Sequence, residues 1–290
     1  MICEICEAPC EAGVAPWHFT CPVCRIEYGS LRPAINDAAT DALDEAARAR
    51  GLKAVRTRGY RAILTSLERI ERTEGKRLLE VGSAHGWFLD AASERFGELV
   101  GIEPDDAVRT SSRGNISVRN GYFPDAVGAH ETFDAIVFND VFEHIPRTTG
   151  VAKAVATHLS PSGVAVVTLP VCSGFFYRLA KRLTRVGVAR PFERLWQCDY
   201  PSPHLYYFSH DGLTRLFASA GLGLEAAQPM RTLTFNGLWQ RIRYGERNGL
   251  LTAATYIAAL ALLPFLALLP PDTVTFIFRK RPLGVAGQSG

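Results

Sequence analysis

Residues Arg77 to Leu89 read R-L-L-E-V-G-S-A-H-G-W-F-L. Leu78, Leu79 and Val81 form a short apolar run, and beyond Gly82 and Gly86 the residues Trp87, Phe88, Leu89 and Ala91 recur at helical spacing. This predicts a strand, a tight glycine turn and a helix. Gly82 lets the backbone turn without a Cβ in the way. Gly86 lets the first helical turn approach a ligand with its unpaired N–H groups facing it. The next apolar run, Glu98 to Ile102, closes on Glu103, where a carboxylate after a second strand can accept bonds from both hydroxyls of a ribose. Together these residues predict a cradle for a nucleotide-like cofactor.

Two cofactors compete for it. A dinucleotide site wants G-x-G-x-x-G, because the middle glycine makes room for the pyrophosphate. Here the spacing is Gly82-x-x-x-Gly86, with Ala84 at the middle position. Glu80, just before the first glycine, suits a ligand without phosphate but with an amino-acid tail, since its carboxylate can sit near an ammonium; S-adenosylmethionine is such a ligand. At these residues the chain resembles the class I S-adenosylmethionine-dependent methyltransferases. The resemblance runs from about Lys76 to Pro282 through L-L-E-V-G-S-A-H-G, G-I-E-P, F-D-A-I-V-F-N-D followed by V-F-E-H-I-P, P-S-G with V-A-V-V-T-L-P, and H-L-Y-Y-F-S-H-D-G-L. It implies a Rossmann-like α/β fold, a seven-stranded sheet with helices on both faces, and a site in which Gly82, Ser83, Gly86 and Glu103 hold the cofactor with Asp140 near its methionine end.

The chain has 290 residues, 47% hydrophobic and 21% charged, as in an ordinary globular protein with room for one large domain or two smaller ones. A net charge of +3 is too small to imply a nucleic-acid partner by itself. Met1, Ile2, Cys3 and Glu4 do not read as a signal peptide, so a reducing, cytoplasmic setting is expected. Cys3-x-x-Cys6 and Cys21-x-x-Cys24 each aim two thiolates at one ion from a tight turn, and two such turns complete a tetrahedron. The expectation is a structural Zn2+ that folds residues 1–32 as a zinc ribbon, with no open position for chemistry; disulfides are the alternative. Cys10 is a weaker candidate ligand than Cys6. Cys172 and Cys198 read as small hydrophobes.

Residues 33–75 read as a helical connector or cap: one helix from Asn36 or Asp37 to Arg50 with Gly51 as its stop, then a second with Tyr60, Ile63, Leu67 and Ile70 on one face. Such helices either cover the cofactor or only join the ribbon to the core. From residue 76 to 290 strands and helices alternate, with strands near 77–81, 98–102, 116–119, 133–138 and 164–169, which means a parallel sheet with the ligand at the carboxyl ends of its strands. In the resembling family the third strand commonly ends in an acidic residue that contacts the adenine. Here the segment is Asn120, Gly121, Tyr122 and Phe123, so Tyr122 or Phe123 is expected to stack on the ring instead. His144, in the loop after the fourth strand, is the leading general-base candidate, because an imidazole can take a hydroxyl proton near neutral pH; the alternative is that it orients its loop. His204, at the entry to a helix from Asp211 to Ala220, is the second.

Two segments exceed the minimal fold. Residues 171–203 carry six cations, Arg178, Lys181, Arg182, Arg185, Arg190 and Arg194, against Glu193 and Asp199, with an apolar stripe of Phe175, Phe176, Leu179, Leu183 and Val186. This reads either as a lid meeting an anionic or lipid-like surface or as a solvated helix packed on the core. Tyr177-x-x-x-Lys181 matches the catalytic spacing of short-chain dehydrogenases, but the glycine turn and later motifs do not. Residues 248–271 are uncharged and apolar save for polar breaks, with Pro264 inside, and read as a bent helical hairpin that rests on a membrane or covers a hydrophobic pocket, with Arg231, Arg241, Arg243 and Arg247 before it; self-association competes. Thr273 to Phe278 is expected as a final antiparallel strand. The function expected is methyl transfer to an oxygen or carbon of a small molecule, a sugar or lipid-linked intermediate, by an enzyme in the cytoplasm or peripheral on the inner face of a membrane. One alternative is an RNA methyltransferase, which the acidic ribbon (Glu4, Glu7, Glu11 and Glu27 against Arg25 and Arg32) disfavours. The other is an inert cofactor-binding or interaction protein.

Overall fold

The computed structural model describes residues 1–34, 45–230, 239, 249–262 and 268–280. In chain order the elements are β1 (Glu11–Ala12), β2 (His18–Thr20), β3 (Glu27–Gly29), α1 (Glu45–Ile70), β4 (Arg77–Val81), α2 (Trp87–Ala92), β5 (Glu98–Ile102), β6 (Ile116–Arg119), β7 (Phe133–Asn139), a 3-10 turn (Phe142–His144), α3 (Thr148–His158), β8 (Leu159–Pro170), α4 (Phe175–Arg185), α5 (Arg190–Leu195), β9 (Tyr206–Tyr207), α6 (His210–Ser219), β10 (Leu222–Met230), α7 (Gly249–Leu262) and β11 (Thr273–Lys280).

Among the described residues the larger sheet has seven strands in the order β10-β11-β8-β7-β4-β5-β6, as expected for a methyltransferase-like Rossmann sheet. The run β8-β7-β4-β5-β6 is parallel, and β11 lies antiparallel to both β8 and β10. Its strands are apolar on both faces because helices cover both. Leu79, Val100 and Ile136 look into one cluster, while their neighbours Leu78, Leu99, Ala135 and Val137 look into the other. The chain steps outward from β4 to β5 and β6 and then returns to β7. A crevice therefore opens at the carboxyl ends of β4 and β7, where ligands bind in such sheets.

The connector departs from expectation. α1 is one helix of 26 residues that runs through Gly51. A mid-helix glycine costs only about 1 kcal/mol, and the burial of Ile63, Leu64 and Leu67 against Leu78, Phe88 and Leu89 outweighs it. The proposed start at Asn36 or Asp37 lies outside the described residues.

The cysteine-bearing segment is sewn onto the larger domain. β3 pairs with β9, Glu27 opposite Tyr207 and Tyr28 opposite Tyr206, to give a small sheet ordered β1-β2-β3-β9. Ser209 both caps α6, accepting from Gly212 N, and donates to the Cys24 carbonyl at 2.6 Å. Cys3, Cys21, Cys24 and Ile26 share one apolar cluster with the sheet.

Of the two readings of α4, packing of its apolar stripe on the core is not what the structure has. The helix buries Tyr177 and Ala180, while Leu179 is exposed and Val186 is 75% exposed. The reason is the anchor below: the Tyr177 ring lies 4.1 Å from that of Tyr207, and the Tyr177 hydroxyl and Lys181 ammonium both donate to Glu27 Oε2 at 2.7 Å. His18 Nε2 lies 2.6 Å from the same oxygen. Burial pushes the Glu27 carboxyl up, but His18 and Lys181 outweigh it and hold it below its usual range. The Tyr-x-x-x-Lys spacing thus clamps the insertion to β3.

In the apolar segment, α7 covers 14 residues; the proposed bend at Pro264 and the four preceding arginines lie outside the described residues. No helix among the described residues is long and apolar enough to cross a membrane.

Candidate functional site

The glycine turn has the geometry its residues demand. Gly82 and Gly86 have φ of +72° and +71°, in the left-handed region that favours glycine. A Cβ on Gly82 would lie 2.4 Å from Val141 Cγ2, and one on Gly86 would lie 2.7 Å from Thr110 Cγ2. The N–H groups of Gly82 and Ser83 both donate to the Ile102 carbonyl, at 2.8 and 3.0 Å, which ties the turn to the end of β5. Glu103 braces it: one carboxylate oxygen accepts from Ala84 N and the other from Asp105 N, both at 2.9 Å. A carboxylate has about four acceptor positions, so the two bonds leave room for a ligand's hydroxyls. Burial raises the Glu103 pKa, against the pull of those two N–H groups.

Glu80 is buried at the crevice. Asn139 Nδ2 donates to its Oε1 at 3.0 Å; Glu80 Oε2 and Asn139 Oδ1 meet no hydrogen-bond partner among the described residues. Burial pushes the Glu80 carboxyl up to about 8, against the Asn139 bond and with the help of the Glu103 charge. Each buried polar atom left unpaired costs about 1 to 3 kcal/mol, so a pair of them facing one crevice asks for a polar ligand. Ser83 Oγ, also unpartnered, lies over Gly101, where a Cβ would be 2.7 Å away. Asp140, with φ of +54°, places its carboxylate 3.9 Å from the Arg56 guanidinium on α1. The helix and the loop after β7 thereby meet across the crevice, and Tyr60 of α1 meets Phe88 of α2 edge-on. Of the two aromatic candidates, Phe123 is packed edge-on against Phe138 and His158 in the core and is not available to a ligand. Tyr122 remains 56% exposed.

The structure brings His144 and His204 together. Their rings meet edge-on with centroids 4.6 Å apart. His144 Nδ1 lies 2.9 Å from the Pro203 carbonyl, to which it donates, leaving Nε2 as the acceptor nitrogen of the neutral ring. His204 Nε2 accepts from the Gln197 amide at 2.8 Å, and its Nδ1 has no partner among the described residues. Burial, with His144 alongside, holds His204 well below the usual imidazole range. Glu143, on the same 3-10 turn, completes the group; it is 1% exposed, and burial followed by the Asp140 charge raises its pKa well above the carboxylate range. Sequence reasoning passed over Glu143 and Asn139. The one available signal was a carboxylate inside the apolar run V-F-E-H-I-P.

Cys3, Cys6, Cys21 and Cys24 converge as expected, with their sulfurs within 4.8 Å of one another and Cys6 and Cys21 3.5 Å apart. Thiolates around a tetrahedral zinc ion at about 2.3 Å are spaced by nearly that much, so the donor set fits Zn2+.

A family model described as a methyltransferase domain matches residues 43–227, more than half of the chain. Uncharacterized methyltransferases are among the relatives: one from Mycobacterium sp. strain JLS is 30% identical over 173 residues, 53% of this chain and 65% of that protein. Another, from Mycolicibacterium paratuberculosis, is 29% identical over 130 residues, 43% of this chain and 51% of that protein. The chain thus spans between half and two thirds of the length of these relatives. In structure it resembles a chain of the complex between the Haloferax volcanii Trm112 methyltransferase activator and a methyltransferase, with a TM-score of 0.59 at 15% identity over 84% of this chain and 100% of that one. It also resembles the cyclopropane synthase MmaA2 of Mycobacterium tuberculosis, with a TM-score of 0.52 at 14% identity over 87% and 90%. These two likenesses speak for the fold. The chain belongs to the methyltransferase domain family, in the S-adenosylmethionine-dependent class.

Proposed function

We propose that the chain transfers the sulfonium methyl of S-adenosylmethionine to an oxygen or carbon of a small-molecule acceptor, a sugar or a lipid-linked intermediate. The observation that carries the reading is the Glu80–Asn139 pair, buried at the carboxyl ends of β4 and β7 with an unpartnered oxygen on each residue. In this reading Glu80 and Asp140 face the ammonium end of the cofactor, Glu103 takes the ribose hydroxyls, Gly82, Ser83 and Gly86 form the floor, and Tyr122 offers its ring to the adenine. When bound, the cofactor supplies a methyl group on a positively charged sulfur. The chain's part is to align acceptor and methyl, and His144, whose Nε2 is the acceptor nitrogen, takes a hydroxyl proton, with His204 beside it. The four cysteines hold a structural Zn2+. The exposed Arg178, Leu179, Arg182 and Arg185 of α4, with Val186 just after it, suit contact with an anionic membrane surface, which supports a lipid-linked acceptor.

Two results test the cofactor assignment. Glu103→Ala removes an acceptor for both ribose hydroxyls and unbraces the turn, and should weaken cofactor binding by about 2 to 3 kcal/mol, roughly 30- to 150-fold. Unchanged affinity in calorimetry would remove Glu103 from the site. Glu80 predicts a pH dependence. With its carboxyl at about 8, it must lose a proton to face an ammonium, so affinity for S-adenosylhomocysteine should rise toward pH 8, by up to about tenfold per unit, and then level off. Glu80→Gln should flatten that rise. In the unliganded protein the sign is opposite: a carboxyl raised from 4.5 stabilises the fold while protonated, and that contribution is lost as pH climbs from 4.5 through about 8.

A further inference from the structure

We infer that Glu143, His144 and His204 form a second cation site, separate from the four cysteines, that binds one divalent first-row transition-metal ion. Their ligand atoms lie within 4.8 Å of one another, and the Nε2 atoms of both histidines are 4.0 Å from Glu143 Oε1. At 4.0 Å neither contact is a hydrogen bond, so the group is not explained as a carboxylate satisfied by its histidines. Both carboxylate oxygens of Glu143 are without a donor among the described residues, on a side chain 1% exposed. An ionised carboxylate in that position is among the costliest groups a core can hold, and a bound cation is one way to compensate it.

The surroundings are those of ligating side chains. His144 is fixed by its other nitrogen on the Pro203 carbonyl at 2.9 Å, an arrangement that orients a metal-binding imidazole and aims Nε2 at the shared space. Leu205 N donates to the Glu143 carbonyl at 2.9 Å, so the segment that carries His204 is tied by its backbone to the turn that carries the other two. Ligands around a tetrahedral ion at about 2.0 to 2.1 Å stand about 3.4 Å apart, so the group closes on an ion by a shift of well under 1 Å. Binding through His204 Nε2 displaces the Gln197 amide from that nitrogen.

Two imidazoles and one carboxylate select Zn2+, Co2+, Fe2+ or Mn2+ over Mg2+ and Ca2+, which prefer oxygen throughout. Three protein ligands also leave positions for water or for an oxygen of a substrate, unlike the closed set of four cysteines. With the ion bound, His144 Nε2 is a ligand, so it takes a hydroxyl proton only in the metal-free site. The use of the open positions by an acceptor rests on the methyl-transfer reading; the binding of the ion does not.

The test uses the full chain with one zinc ion already in the cysteine site. Mn2+ and Co2+ are titrated separately, Mn2+ followed by the paramagnetic resonance of the free ion and Co2+ by metal analysis after gel filtration. Neither displaces zinc from four thiolates, since both stand lower in affinity order and Mn2+ prefers harder ligands. The expected result is one additional ion per chain, with affinity at least tenfold weaker in Glu143→Gln and in His144→Asn while zinc content and far-ultraviolet dichroism stay unchanged. No ion beyond the zinc, or equal affinity in wild type and whichever variant folds, would overturn the inference. S-adenosylhomocysteine titrated into the same samples reads the cofactor site separately, so a failure of one reading is distinguishable from a failure of the other.

Discussion

Cys21→Ser is expected to destabilise far more than the segment that contains it. Residues 1–32 form three strands of two or three residues each, too little to hold a core unaided. A structural zinc ion supplies about 10 to 16 kcal/mol of binding free energy to modules of this size, and one missing thiolate forfeits much of it. The loss does not stop there. β3 pairs with β9, Ser209 Oγ is bonded to the Cys24 carbonyl, and Ile26 packs on Gly212 so closely that a Cβ there would lie 2.4 Å from Ile26 Cγ1. Glu4 accepts from Thr148 at the start of α3. The variant should lose its zinc and at least about 4 kcal/mol of stability in denaturant unfolding, with amide exchange accelerated at Tyr206 and Tyr207 as well as in the ribbon. A zinc-free variant with an unchanged midpoint would show that the cysteines do not hold the fold together.

Gly82→Val is the second large effect. Its backbone stands at φ +72°, which costs a residue with a Cβ about 1 to 2 kcal/mol and a β-branched one more. The added Cβ would collide with Val141 at 2.4 Å, and overpacking of that kind costs a further 1 to 3 kcal/mol. Val141 lies between Asp140 and the 3-10 turn, so its displacement moves the carboxylate that meets Arg56 and the turn that carries Glu143 and His144. A stability loss of about 2 to 5 kcal/mol is expected, with S-adenosylhomocysteine affinity reduced at least tenfold. Gly150→Ala, inside α3, is the control: nothing lies within 4 Å of its added Cβ, so affinity should stay within experimental error and stability should hold or rise by up to about 1 kcal/mol, alanine being the better helix former. Equal behaviour of the two variants would mean that the turn is more yielding than its geometry implies.

The parallel core was legible because its physics is local. Alternating apolar runs and helical stretches set the strands, and the bounds expected for β4, β5 and β6 are those found. The glycine turn, Glu80 and Glu103 were legible for the same reason: a positive φ and a carboxylate at a strand end follow from sequence position. What was missed is decided by contacts between distant segments. Gly51 reads as a helix stop until the packing of Ile63, Leu64 and Leu67 on the sheet is known. The buried face of α4 is set by Glu27, 150 residues before Tyr177, and not by the helix's own apolar stripe. Phe123 reads as a stacking ring until Phe138 and His158 enclose it. Glu143 carries no local signal, because nothing in its own segment reveals that His204, 61 positions further on, lies beside it.

The most direct test of the account is a calorimetric titration of the zinc-loaded chain with S-adenosylhomocysteine, with NAD as the comparison ligand. The turn without a middle glycine, the unpartnered Glu80 and Asn139 oxygens and the Glu103 carboxylate predict micromolar affinity for S-adenosylhomocysteine and none for NAD. Binding of NAD alone, or of neither ligand, would contradict the assignment of this crevice to a methyl-transfer cofactor.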